Sequence, residues 1–154
     1  MKNMFLVVTF ALVGLSWSGA PEVRASEKGS KGGALLVPAA DLKWTDVPNM
    51  AGVQMAVVDG DPTKGPSHFL IKFAGGFTAP VHHHTANHFV TVVSGTVGLT
   101  VDGTETKLPA GSVFSFSKKT KHATSCAAGA DCVLSVDSRG KWDVIPEGEK
   151  PAKK

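Results

Sequence analysis

The sequence predicts an all-β protein, an antiparallel sandwich or barrel of short strands. Three observations point there. Short apolar runs rich in Phe, Val and Thr recur at even spacing. Turn residues separate them, with 17 Gly and 9 Pro in a chain of 154 residues. No stretch of useful length carries helical periodicity. The length suits one domain and not two.

Taken in order, the chain opens with what reads as a secretory signal over residues 1–25. Met1-Lys-Asn-Met4 is a short basic start, the run from Phe5 to Leu15 is apolar, and Val23-Arg-Ala25 is a small-x-small site before Ser26. The apolar run is too short to span a bilayer. With cleavage after Ala25 the protein is expected to be exported, periplasmic or secreted, with no membrane attachment after cleavage. Residues 26–33, Ser-Glu-Lys-Gly-Ser-Lys-Gly-Gly, form a flexible lead-in. The folded domain is expected over 34–146, with a polar tail over 147–154.

Within the domain, strands are expected at 54–59, 68–73, 89–94, 96–102, 112–117, 122–125 and 133–137. The turn Gly60-Asp-Pro-Thr-Lys-Gly-Pro66 follows the first, and Gly75-Gly76 ends the second. Asp102-Gly103 is a strong hairpin signal, because both central positions of the favoured two-residue turn need positive φ. Sixteen Lys and Arg stand against 13 Asp and Glu. That balance is too even to suggest nucleic acid as a partner.

Two cysteines, Cys126 and Cys132, enclose Ala-Ala-Gly-Ala-Asp. In an oxidising compartment a local disulfide is expected. A thiolate role for Cys126 is the alternative, and the two exclude each other.

Four of the six histidines fall within residues 82–88. In a strand, residues two apart share a face, so His82 and His84 project together and His83 projects oppositely. His88 follows after Thr85-Ala-Asn, which allows a bend that brings it back. His122, opening a later strand, supplies another imidazole. Neutral imidazole is the commonest protein ligand for Zn, Cu, Ni and Fe ions. His83 is expected to face solvent or to support the site from behind its ligands, and His68, in an alternating strand, to be a structural or surface residue.

The spacing Gly76-x5-His82-x-His84-x3-His88-x6-Gly95 resembles the first cupin motif, whose fourth position is normally Glu. The second motif can be laid on Gly111, Ser117, Lys119, His122 and Cys126, of which only the Gly and the His match. The resemblance covers about residues 70–138. It implies a cupin-type jelly-roll β-barrel with one divalent transition metal on His82, His84 and His122. More narrowly, Trp44-Thr-Asp-Val-Pro48 and Gly60-Asp-Pro-Thr-Lys-Gly65 resemble small secreted cupins of unassigned function.

The departure matters chemically. Replacing the motif glutamate by His88 removes a negative charge, so an ion there keeps a net charge near +2 and polarises a bound oxygen more strongly. Fe, Cu, Zn and Ni all suit an all-nitrogen donor set, and Mn suits it less. His88 is either a fourth ligand or a catalytic acid-base group beside the metal. Pocket walls are expected near Phe69, Phe114 and Phe116. Two functions follow: an enzyme, dioxygenase-like or otherwise metal-dependent, converting a small organic molecule, or a non-catalytic periplasmic protein that binds or senses a metal or small ligand. The resemblance also implies a homodimer, since small cupins often pair through sheet edges.

Overall fold

A computed structural model describes residues 33–117 and 119–148. The signal segment, its cleavage site, most of the lead-in and the tail from 149 lie outside the described residues. All elements fall in one compact unit that begins at Leu35. After a 3-10 turn at Ala39–Asp41 come β1 (Thr45–Asp46), β2 (Val53–Gly60), β3 (Ser67–Phe73), β4 (Thr78–His83), β5 (His88–Ser94), β6 (Thr96–Val101), β7 (Thr104–Pro109), β8 (Val113–Phe116), β9 (His122–Cys126), β10 (Cys132–Ser138) and β11 (Ile145–Pro146).

The strands form two sheets in a jelly roll. One has the order β1-β2-β3-β10-β5-β8 and the other β11-β4-β9-β6-β7. The paired strands are antiparallel. The seven strands expected from the sequence correspond to β2, β3, β5, β6, β8, β9 and β10, each within a residue or so at its ends. Asp102 and Gly103 have φ of 49° and 80° and turn β6 into β7, as the hairpin signal required.

Alternation decides what is buried. β3 buries Ser67, Phe69, Ile71 and Phe73, and β10 buries Cys132, Leu134, Val136 and Ser138. With Val53, Val90, Val92, Val97 and Leu99, the apolar ones among these, Ser67 and Ser138 apart, make the core. Each fully buried one contributes roughly 1.5–3 kcal/mol of hydrophobic stabilisation. The same inward rule applies to β9, whose buried residues are His122, Thr124 and Cys126. Its first inward residue is therefore an imidazole, at the end where the core gives way to a cleft.

A disulfide joins Cys126 to Cys132, tying β9 in one sheet to β10 in the other. Both cysteines are buried. With its sulfur so engaged, Cys126 does not act as a thiolate ligand.

Candidate metal centre

The register of β4 against β9 builds the site. Ala79 faces Thr124, yet His82 faces His122, so three steps along β4 match two along β9. The extra residue is a bulge at Pro80 and Val81. Proline has no N–H to give a ladder, and bulges are where it is tolerated. Without the bulge Val81, not His82, would stand opposite His122. Val81 instead points outward, 45% exposed.

His82 and His122 are thus cross-strand neighbours, with ring centroids 4.3 Å apart. His84, one residue beyond β4, turns to the same side, 5.0 Å from His82 and 5.2 Å from His122. The ligating nitrogens of these three residues lie within 4.8 Å of one another. His88 is not in that group. It opens β5 in the facing sheet, with its ring 4.8 Å from His84.

All four imidazoles are held in one tautomer. Nδ1 of His82 donates to the carbonyl of Pro80 (2.7 Å), that of His122 to Thr120 (2.9 Å) and that of His88 to Ala86 (3.1 Å). His84 donates likewise to the carbonyl of Asp143. A carbonyl only accepts, so the proton sits on Nδ1 and each Nε2 keeps its lone pair. Metal-binding histidines use this arrangement widely. The donor set fits a divalent ion of borderline softness.

Burial pushes the four imidazoles below the ordinary value of 6.5, against the raising effect of the carbonyl bonds. His84 falls to about 3 and His122 to about 4. The cluster is therefore neutral at pH 7, the form that binds metals.

Aromatic rings fix the imidazoles from their faces. Phe116 stacks on His122 at 3.9 Å and Trp142 on His84 at 4.2 Å. Trp142 also meets His88 at 5.1 Å, ring edge to ring face. Its backbone N–H donates to the carbonyl of Pro62 at 2.8 Å, so the turn after β2 anchors it. Asp143 accepts a bond from the Thr85 N–H at 2.8 Å. Although burial acts to raise its carboxyl, the bonds from Thr85 together with the neighbouring His84 and His83 outweigh it and hold it below the usual range.

A cleft of about 550 Å³ opens beside the cluster. Phe114 lines it, whereas Phe116 meets the site through His122 and His88. Phe69 does not belong to the wall. It lies on the inner face of β3, fully buried in the core and edge-on to Trp142 at 5.1 Å, so the aromatic between it and the site is Trp142. Trp142 and Asp143 were not singled out in the sequence. A large aromatic in the polar tract after the last long strand was the available signal.

The remaining histidines lie elsewhere. His83 donates to Glu147 at 2.6 Å, and Lys121 pairs with the same carboxylate. Glu147, placed in the tail by the sequence, is thus tied to β4, its N–H also donating to Val81. His68 shares a hydrogen bond with Ser135 at 3.3 Å.

Residues 69–139 match a family model described as a cupin domain. No curated protein matches the chain. Among solved structures, the polyketide cyclase RemF from Streptomyces resistomycificus is similar with a TM-score of 0.65 at 16% identity, over 75% of this chain and 87% of that one. An RmlC-like cupin protein from Ralstonia eutropha gives 0.61 at 25% identity, over 77% and 74%. KdgF from a Halomonas species gives 0.58 at 22% identity, over 70% and 94%.

Proposed function

Because the chain is a small cupin-domain protein, residues 69–139 of which match the family model, we propose that it is a metal-dependent enzyme acting on a small organic molecule. His82, His84 and His122 would hold one divalent transition metal. One observation carries the reading. Three buried imidazoles each bring a ring nitrogen within 4.8 Å of the others, while the fourth belongs to the facing sheet and lies outside that group. Catalytic sites keep a position open where structural sites are closed, and three protein ligands leave room for substrate.

The metal, when bound, would supply Lewis acidity toward a coordinated oxygen. The chain's own groups do the rest. His88, neutral and with Nε2 available, is placed to accept a proton from a substrate bound beside His84. Trp142 and Phe116 hold the imidazoles in orientation. Apolar residues that line the cleft, among them Met55, Ile71 and Phe114, would keep the reacting end poor in water. A dioxygenase-like reaction is the sharper form of this proposal, since it needs open metal positions and an apolar substrate site.

The competing reading is a non-catalytic binder in which His88 swings in as fourth ligand. The centroid distance of 4.8 Å between His88 and His84 is shorter than the 5.0 and 5.2 Å that separate His84 from His82 and His122. Metal analysis of untagged protein, with the visible spectrum of the Co(II) form, separates the two. The enzyme reading expects stoichiometric ion, a spectrum unchanged by His88→Ala and changed by azide. A spectrum insensitive to azide that opens only in His88→Ala would overturn it in favour of the binder.

We further propose that the protein works in the periplasm. The Cys126–Cys132 disulfide supports an oxidising compartment. Exposed Phe89, Val93 and Val113 beside the edge strand β8 support a homodimer, which sedimentation of the mature chain tests.

A further inference from the structure

The two sides of the cleft differ in kind. His82 and His84 line it from β4 and its continuation. His88 and the apolar residues Met55, Ile71, Phe73, Phe114 and Leu134 line it from the facing sheet, with Met50 just before β2. Among the described residues no Lys or Arg lines the cleft, and the polar side chains other than the histidines are Asn49, Thr124 and Asp143. Asp143 carries a carboxylate already engaged by the Thr85 N–H.

Each feature bears on what can bind. With neutral imidazoles as ligands, the ion's charge would be the only positive charge facing the cleft among the described residues. A second carboxylate or a phosphate would be buried there with no cation, and beside Asp143, at a cost of several kcal/mol. A sugar would leave hydroxyls unpaired against methionine and phenylalanine. An apolar body gains where these lose.

We propose that the ligand of this cleft has a single oxygen-chelating head, carrying at most one negative charge, on an apolar alkyl or aryl body that lies against Met50 and Met55. This rests on the metal-dependent reading for the head, while the wall is a property of the chain itself.

The probe is a series of straight-chain hydroxamates from acetohydroxamate to octanohydroxamate, titrated into zinc-loaded protein by calorimetry. They share one head and differ only in tail. The affinity is expected to rise about fourfold for each of the first few methylenes, the equivalent of roughly 0.8 kcal/mol per group. Met50→Gln combined with Met55→Gln should flatten that dependence and leave the acetohydroxamate affinity within about twofold. An affinity that does not rise with tail length in the wild type overturns the proposal, as does a double variant that folds and keeps the full dependence.

A second measurement needs neither metal nor variant. In metal-free protein with 13C-methyl methionine, n-hexanol and n-octanol are expected to shift the Met50 and Met55 methyl signals, octanol more tightly. Zinc uptake judges the metal-dependent reading separately. If zinc fails to bind but the alkanols shift both methyls, that reading falls and the apolar wall stands. If zinc binds and neither alkanols nor tail length has an effect, the wall proposal falls alone.

Discussion

The indole of Trp142 lies nearly parallel to the imidazole of His84, 24° between planes and 4.2 Å between centroids. The next residue, Asp143, accepts a hydrogen bond from Nδ1 of the same histidine at its backbone carbonyl. One short segment therefore fixes His84 by its face and by its edge. Trp142→Leu is expected to weaken zinc binding roughly tenfold or more, as loss of a ligand's orienting partner does. Competition with a chromophoric chelator measures it. Cu(II) should also quench the indole emission of the wild type far more than that of Trp142→Leu, which retains Trp44 and, before any cleavage after Ala25, Trp17.

His83 gives the opposite expectation. Its ring is committed to Glu147 on the outer side of β4. His83→Ala should leave zinc affinity within about threefold, whereas His82→Ala should lower it by two orders of magnitude or more, roughly the upper range for disturbing a metal site. The same chelator titration reads both.

Metal-free protein should lose stability in mild acid. Burial holds the four cluster imidazoles below 6.5 in the folded chain, while the unfolded chain titrates near that value. Between 6.5 and the folded values the unfolded state binds more protons, so unfolding free energy rises with pH across that window. The loss begins as pH falls through 6.5 and levels off for His122 near 4 and for His84 near 3. Urea midpoints at pH 7.5, 6 and 5 should fall in that order, and equal midpoints would contradict buried neutral imidazoles.

Gly95 has φ of 78°, and a Cβ there would sit 2.8 Å from both the Asp131 carbonyl oxygen and the Cys132 sulfur. Gly95→Ala is expected to destabilise the fold by about 2 kcal/mol or more, combining left-handed strain with a backbone clash. Thermal unfolding measures it.

Removing the disulfide as the Cys126→Ala, Cys132→Ala pair should cost about 2 kcal/mol in the chain-entropy account of so short a loop. That corresponds to a melting point lowered by roughly 10 °C for a domain of this size. Zinc stoichiometry should not change, because the disulfide lies at the end of β9 away from His122.

Strands with a buried alternating face were legible in the sequence, because burial imposes period two on β3, β5 and β10. β7 was not delimited. Its residues Thr-Glu-Thr-Lys-Leu-Pro are mostly exposed at a sheet edge and show no alternation. β1 and β11 are two-residue bridges with too little sequence to carry a pattern. The spacing of His82, His84 and His122 was readable, since it is set along strands. The bulge at Pro80 was not, because it exists only in the pairing with β9. Nor was the contact of Trp142 with His84, 58 positions apart in the chain, since no local rule links them.

The three grouped histidines come from β4, its immediate continuation and β9, all on one sheet, while most of the apolar wall comes from β2, β3, β8 and β10 on the other. Grip and taste are thus inherited separately. Substitutions at Met55, Ile71 or Phe114 can reshape what the cleft admits while the imidazoles keep their bonds to Pro80, Thr120 and Asp143. Descendants of such a chain can drift from one molecule to another without passing through a form that has lost its three-histidine cluster.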